Sequence, residues 1–207
     1  MLGSEGVSRA LVYRLMERFP SKLLELRNRL QVDGYELPDV QPEHFYPTEV
    51  NILAITTFPC ISVVSYETTG RVGNRQFESD ALYDEYSYRY RMRVFVWGMG
   101  DGEVETDLLR KRLALAAREV LLSGLILHDS NGQYAELDPQ TLKESYSDVG
   151  ERAAAQYLGG AYLEFEVATQ ETLAAPQGVV SDQPPTITPG ISLVGVGDTH
   201  PVPQPEP

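Results

Sequence analysis

Tyr86-Ser-Tyr-Arg-Tyr-Arg-Met-Arg-Val-Phe-Val-Trp97 runs into Gly98-Met-Gly-Asp-Gly102, which opens a helical pattern from Val104 to Ser123. The first twelve residues alternate strictly. Tyr86, Tyr88, Tyr90, Met92, Val94 and Val96 share one face, and Ser87, Arg89, Arg91, Arg93, Phe95 and Trp97 share the other. A period of two through aromatic and β-branched residues predicts a strand, roughly 40 Å long at about 3.3 Å per residue. Arg89, Arg91 and Arg93 give its first half one face for water or a charged partner. Phe95 and Trp97 make its far end apolar on both faces, so that end is expected to be covered twice.

The helix after the glycines presents Leu109, Leu113, Ala116, Ala117 and Val120 on its main apolar face, and the alanines allow close approach to a sheet. A second stripe, Leu108, Leu115 and Leu122, recurs at heptad spacing on roughly the other side. A helix with two apolar stripes touches two things: the sheet, and either the N-terminal helix or a neighbouring subunit. Gly124 is the expected C′ residue. The glycine turn is a poor phosphate loop. It lacks the G-x-G-x-x-G spacing and any Lys-Ser/Thr, and Glu103, Glu105 and Asp107 crowd the helix start where a phosphate would sit. Asp101, Glu103 and Glu105 do not complete an EF-hand ligand set.

Upstream, Gly6–Phe19 reads as a helix with Leu11, Val12, Leu15, Met16 and Phe19 on one arc. Pro20 is expected to break it, and Ser21 to cap a second stretch through Gln31 with Leu23, Leu26 and Leu30 inward. Residues 1–31 hold six Arg/Lys against three Glu, whereas residues 32–85 hold ten Asp/Glu and two Arg. The basic segment is either a solvated face or a docking surface for an acidic neighbour. Glu49–Ile55 is a candidate short strand, and Cys60–Tyr66, led by Pro59, is a clear one. Glu67–Glu85 is too long for a compact hairpin connection and reads as an arm that becomes ordered on a partner. Arg71, Arg75 and Phe77 on it join Leu108, Leu115 and Leu122 as the expected subunit interface. Downstream, Thr141–Ser147 reads as a strand, 149–158 as a short helix or ordered loop, Gly159-Gly160 as a turn, and Ala161–Ala168 as a further strand. Glu164 and Glu166 are expected to face the arginines across an antiparallel pair.

At 207 residues, with 42% hydrophobic and 23% charged residues, the chain suits one globular domain with an appendage. A net charge of −13 argues against general DNA binding. One cysteine, Cys60, allows no internal disulfide and fits a reducing compartment. No secretory leader and no membrane span are expected. His44, His128 and His200 are scattered, no G-x-S-x-G is present, and Cys60 sits in an apolar strand. No catalytic, cofactor or metal site is assigned, and the chain is not expected to be an enzyme. From Leu173 the character changes: residues 173–207 carry eight of 14 prolines and no Lys or Arg. This is the signature of an extended tail, with Ile187, Ile191, Leu193, Val194 and Val196 as its expected partner contacts.

These observations predict an α+β fold: a mostly antiparallel four- to five-stranded sheet, a long helix packed on one face, an N-terminal helix, and an extended Pro-rich tail. The domain would span 1–172 and the tail 173–207. The order of elements resembles the tail terminator (tail completion) proteins of long-tailed bacteriophages over about residues 5–170. That order is a helix, an irregular segment, the Pro-led strand, a long loop, the alternating strand, a helix and two further strands. Leu142-Lys-Glu-Ser-Tyr-Ser-Asp-Val-Gly150 and Ala161–Ala168 are similar in style. The resemblance implies a virion protein assembled in the host cytoplasm as a homo-hexameric ring. Such a ring caps the tail tube, halts its polymerisation and offers a head-docking surface. Its partners would be other copies, the tube protein and head–tail connector proteins, with DNA passing through ungripped and no membrane. Another neck or connector protein is the nearest alternative. A small-molecule-binding domain or enzyme using Gly98–Gly102 is the more distant one, and it calls for an enclosed pocket beside that turn.

Overall fold

The structure, a computed structural model, describes residues 3–72, 83–128, 134–153 and 155–174. Helix α1 spans Gly3–Leu30 and helix α2 spans Glu103–Leu122. Seven strands form one sheet: β1 (Phe45–Tyr46), β2 (Cys60–Val72), β3 (Tyr83–Gly100), β4 (Ile126–His128), β5 (Tyr134–Tyr146), β6 (Gly150–Ala153) and β7 (Gln156–Ala174). The strand order is β1-β2-β3-β7-β5-β4, with β6 on β7. The fold is therefore α+β, but the sheet is larger than the four to five strands expected. It is also mixed, because β1 pairs parallel with β2. The added strands are β1, β4 and β6, each only two to four residues long, too short to show a period.

The β3 alternation holds. Tyr90, Met92, Val94 and Val96 are buried, and they meet Leu163, Phe165 and Val167 of β7 on the same side of the sheet. Both helices cover that face. Leu11, Leu15, Phe19, Leu23 and Leu26 of α1 and Leu109, Leu113, Ala116, Ala117 and Val120 of α2 join the strand residues in one core. Each large aliphatic or Phe side chain buried there contributes roughly 1.5–3 kcal/mol. β3 and α2 approach so closely that a Cβ on Gly98 would lie 2.9 Å from Leu109 Cδ2. The outer face is covered less fully than expected. Phe95 and Trp97 stack with centroids 6.4 Å apart and Tyr162 lies against Phe95, but all three remain half-buried.

Several local expectations are corrected. Pro20 does not end the first helix, which continues through it. The ring lies on the exposed side, so the Met16 carbonyl that loses its partner faces water. Phe19, Leu23 and Leu26 fix the helix on the core from both sides of the proline. Met16 is 36% exposed and Leu30 is 41% exposed rather than inward. The helix ends in a Schellman turn: Gln31 is left-handed (φ 56°) and the Val32 N–H donates to the Arg27 carbonyl at 3.0 Å. Gly124 holds the expected C′ position of α2, after the cap Ser123 whose N–H donates to the Glu119 carbonyl, but it is not left-handed.

Glu49–Ile55 forms turns rather than a strand, with the Leu53 N–H on Asn51 Oδ1 at 3.1 Å. Within 149–158, Gly150–Ala153 pairs with the start of β7 as a strand, not a helix. Gly159 and Gly160 lie inside β7, opposite Gly98 and Trp97. The Glu67–Glu85 arm is in part a β-hairpin: β2 stays paired with β3 out to Val72↔Tyr86. Residues 73–82, which include Arg75 and Phe77, lie outside the described residues. So does the tail from residue 175, with Ile187, Ile191, Leu193, Val194 and Val196, while Leu173 and Ala174 still belong to β7.

Candidate functional site

The outer face of the β3–β7 pair carries the expected charge ladder, and its register is the one that places opposite charges together. Arg91 faces Glu166 and Arg93 faces Glu164 across the antiparallel pair. Arg93 Nε donates to Glu164 Oε2 at 2.9 Å, and Arg91 Nε to Glu166 Oε1 at 3.2 Å. Arg89, opposite Ala168, reaches diagonally to Glu166 Oε2 at 3.1 Å. Arg91 also bridges to Glu67 of β2 at 2.8 Å. The Arg93 guanidinium lies 4.2 Å from the centre of the Tyr66 ring and 5.3 Å from that of Tyr162. Hydrogen bonds from Tyr66 and Arg93 hold the Glu164 carboxyl below its ordinary range, and those from Arg89 and Arg91 do the same for Glu166. Three arginines thus meet three glutamates, and the face is closely neutralised within the chain. It is a charged, water-compatible wall rather than a cationic grip.

The sheet has two long free flanks. Among the described residues, β1 covers the outer side of β2 only at Ile61–Ser62, and β4 covers β5 only at Tyr134–Glu136. Among the described residues, the backbone edges of Val63–Val72 and of residues 139–146 have no neighbouring strand. Both free edges carry a register irregularity, at Ser65/Glu67 and at Asp138/Lys143. The second contains Pro139, and Thr141 bridges it by donating to the Asp138 carbonyl and accepting from the Glu166 N–H. Such irregularities hinder indiscriminate edge pairing.

The leucine stripe of α2 divides. Leu115 packs partly against the core, while Leu108 and Leu122 are 44% and 43% exposed. The second body that α2 touches is α1, as expected, through Arg29 and Lys22 on Glu119 and Arg18 on Ser123. Leu108 borders an open groove of about 200 Å³ between α2, the end of β3 and the loop after α1. Its wall includes Tyr35, Pro38, Met99 and Leu109. Tyr35, 80% exposed, donates its hydroxyl to Asp101 Oδ2 at 2.7 Å. Asp101, Glu105 and Glu36 give the rim negative charge, and the one cation there, Arg112, lies 3.4 Å from Glu36. The groove lies beside the glycine turn, with Gly100 and Asp101 in its lining, and is open rather than enclosed.

At the other end of α2, Arg14 donates to the Gly124 and Ile126 carbonyls. Arg18 Nη1 lies 3.3 Å from Ser123 Oγ. Leu122 and Ile126 are exposed beside them. The arginines complement the negative end of the helix dipole. Comparison with protein-family models and with curated proteins finds no match for this chain.

Elsewhere, Cys60 is fully buried and burial pushes its thiol up to about 12, so it is a packing residue. No group of three or more His, Cys, Asp or Glu is arranged for a metal among the described residues. No helix there is long and apolar enough to cross a membrane. Sequence reading missed one buried polar cluster. Glu171 Oε1 accepts from the Tyr90 hydroxyl at 2.7 Å, the Gly3 N–H at 3.0 Å and Thr169 Oγ1 at 3.3 Å. It ties the start of α1 to the end of β7. The only sequence signal was Glu171 itself, a polar residue on the inward phase of β7 shared by Leu163, Phe165 and Val167.

Proposed function

We propose that the chain is a structural subunit of a phage virion that assembles as a ring on the tail tube, in the manner of tail terminator proteins. The observation that carries this reading is that, among the described residues, β2 and β5 leave long unpaired flanks at opposite edges of the sheet. A ring needs two different surfaces that are complementary to each other, so that each copy presents one flank to the copy before it and the other to the copy after it. The Arg–Glu face suits the wall of a duct, since its three arginines are paired with glutamates of the same chain rather than free to hold DNA phosphates. The resemblance in element order points the same way. On this reading the ring is a hexamer that stops tube growth and receives the head, and the Pro-rich tail contacts an adjacent ring.

The test is native mass measurement with negative-stain imaging at low and high protein concentration, followed by co-sedimentation with purified tail tubes. Closed rings, or end-on binding to tubes, are expected. A protein that stays monomeric and ignores tubes overturns the reading. Rings that bind an isolated head–tail connector but not tubes would assign it to the neck instead.

A further inference from the structure

We infer that the two ends of α2 are the two halves of a head-to-tail contact between copies of this chain, the acidic groove at Leu108 receiving the basic end at Leu122. This rests on the ring reading and adds the ends of α2 to the sheet flanks as contacts between successive copies. The argument starts from the leucines. Leu108 and Leu122 are fourteen positions apart, two heptads, so they lie on nearly the same side of the helix. At 1.5 Å per residue they are separated by about 21 Å. Both are exposed, whereas Leu115 between them is partly packed. One apolar stripe therefore surfaces at its two ends only.

The surroundings of those ends are opposite in charge. At the first, Val104 is 67% exposed and Tyr35 80%, and Asp101, Glu103 and Glu105 have no basic partner among the described residues. The nearby ion pairs use Asp107, with Arg110 and Lys111, and Glu36, with Arg112. At the second, Ile126 is 50% exposed beside Leu122. Among the described residues, Arg14 and Arg18 there contact carbonyls and a hydroxyl, and Glu17 is the carboxylate that acts on Arg14. An acidic apolar groove and a basic apolar knob on the same molecule, too far apart to meet within it, are satisfied by a second copy. Because the two surfaces differ, the contact propagates and does not stop at a dimer. Apolar anchors would supply the buried area, and the charges would set direction by penalising groove-to-groove and knob-to-knob encounters.

Disulfide trapping on the full-length chain tests this directly. Leu108→Cys and Leu122→Cys are made singly and together, with Cys60 left buried. A disulfide needs Cα atoms within about 7 Å, so the pair cannot close inside one chain. Mild oxidation of the double variant is expected to give a ladder of covalent multimers ending at the ring number, while each single variant stays uncrosslinked. In parallel, Glu105→Lys or Arg18→Glu alone should raise the concentration needed for half-assembly by roughly tenfold or more, and the two reversals together should restore it. Absence of a ladder, or single variants that crosslink as well as the double, overturns the proposal. Rings seen by native mass without a 108–122 ladder would overturn these surfaces and leave the ring itself standing.

Discussion

Removing the Glu171 carboxylate should uncouple the start of α1 from the sheet, and the structure sets the size of the effect. Glu171 is 5% exposed and its Oε1 accepts three hydrogen bonds, from Tyr90, Gly3 and Thr169. Burial, followed by the bond to Glu171, raises the Tyr90 hydroxyl above its ordinary value, so Tyr90 is the donor of that bond at any physiological pH. A bond to a charged group is worth about 1.5–3 kcal/mol, and a buried donor left without a partner costs about 1–3 kcal/mol. The Gly3 N–H, which is only part-buried, can recover water, but the Tyr90 hydroxyl, 3% exposed, cannot. Glu171→Ala is therefore expected to lose about 2–4 kcal/mol, and Tyr90→Phe, which leaves Glu171 two donors, about 1–2 kcal/mol. The double variant should fall short of the sum by about 1–2 kcal/mol, the coupling of the pair. Urea unfolding followed by circular dichroism measures all three. Additive losses, or a Glu171→Ala change below about 0.5 kcal/mol, would refute the view that this carboxylate anchors the helix.

Three further outcomes are expected. A Cβ on Gly160 would lie 2.5 Å from Trp97 Cε3; Gly160→Ala should displace the ring, cost about 1–3 kcal/mol and shift the emission of the sole tryptophan, so an unchanged spectrum would count against the packing described. Pro20→Ala should return a hydrogen bond to the Met16 carbonyl and stabilise the chain by about 1–3 kcal/mol in thermal or urea unfolding; a loss would mean that α1 is shaped by the proline. Because Glu164 and Glu166 titrate below their unfolded values, they contribute stability above about pH 4.5 that is lost as the pH falls through their depressed folded values. The unfolding midpoint should decline on acidification, and Glu166→Gln should flatten that decline.

The sequence determined what depends on local periodicity and on chemistry repeated along one element. The face of β3 that is buried, the apolar side of α2 and the face of β7 that turns Glu164 and Glu166 towards the arginines all follow from a period of two or of 3.6, whereas the pairing of Arg91 with Glu166 and Arg93 with Glu164 was set by the strand register. Such a pattern is written many times over in a long element, so a single exception does not erase it. What the tertiary structure decided was carried by single residues or very short segments. Phe45–Tyr46 becomes a strand because β2 offers it an edge. Gly159-Gly160 stays inside a strand because Trp97 lies over it, where local chemistry alone reads as a turn. Pro20 is accommodated because the core holds α1 on both sides of it, outweighing a propensity of about 3 kcal/mol. Leu108 and Leu122 were legible as one stripe. That the stripe is covered only in the middle, with acid at one exposed end and arginine at the other, depends on α1, Tyr35 and Asp101 arriving from distant parts of the chain. Contacts of that kind have no period, and the sequence does not record them.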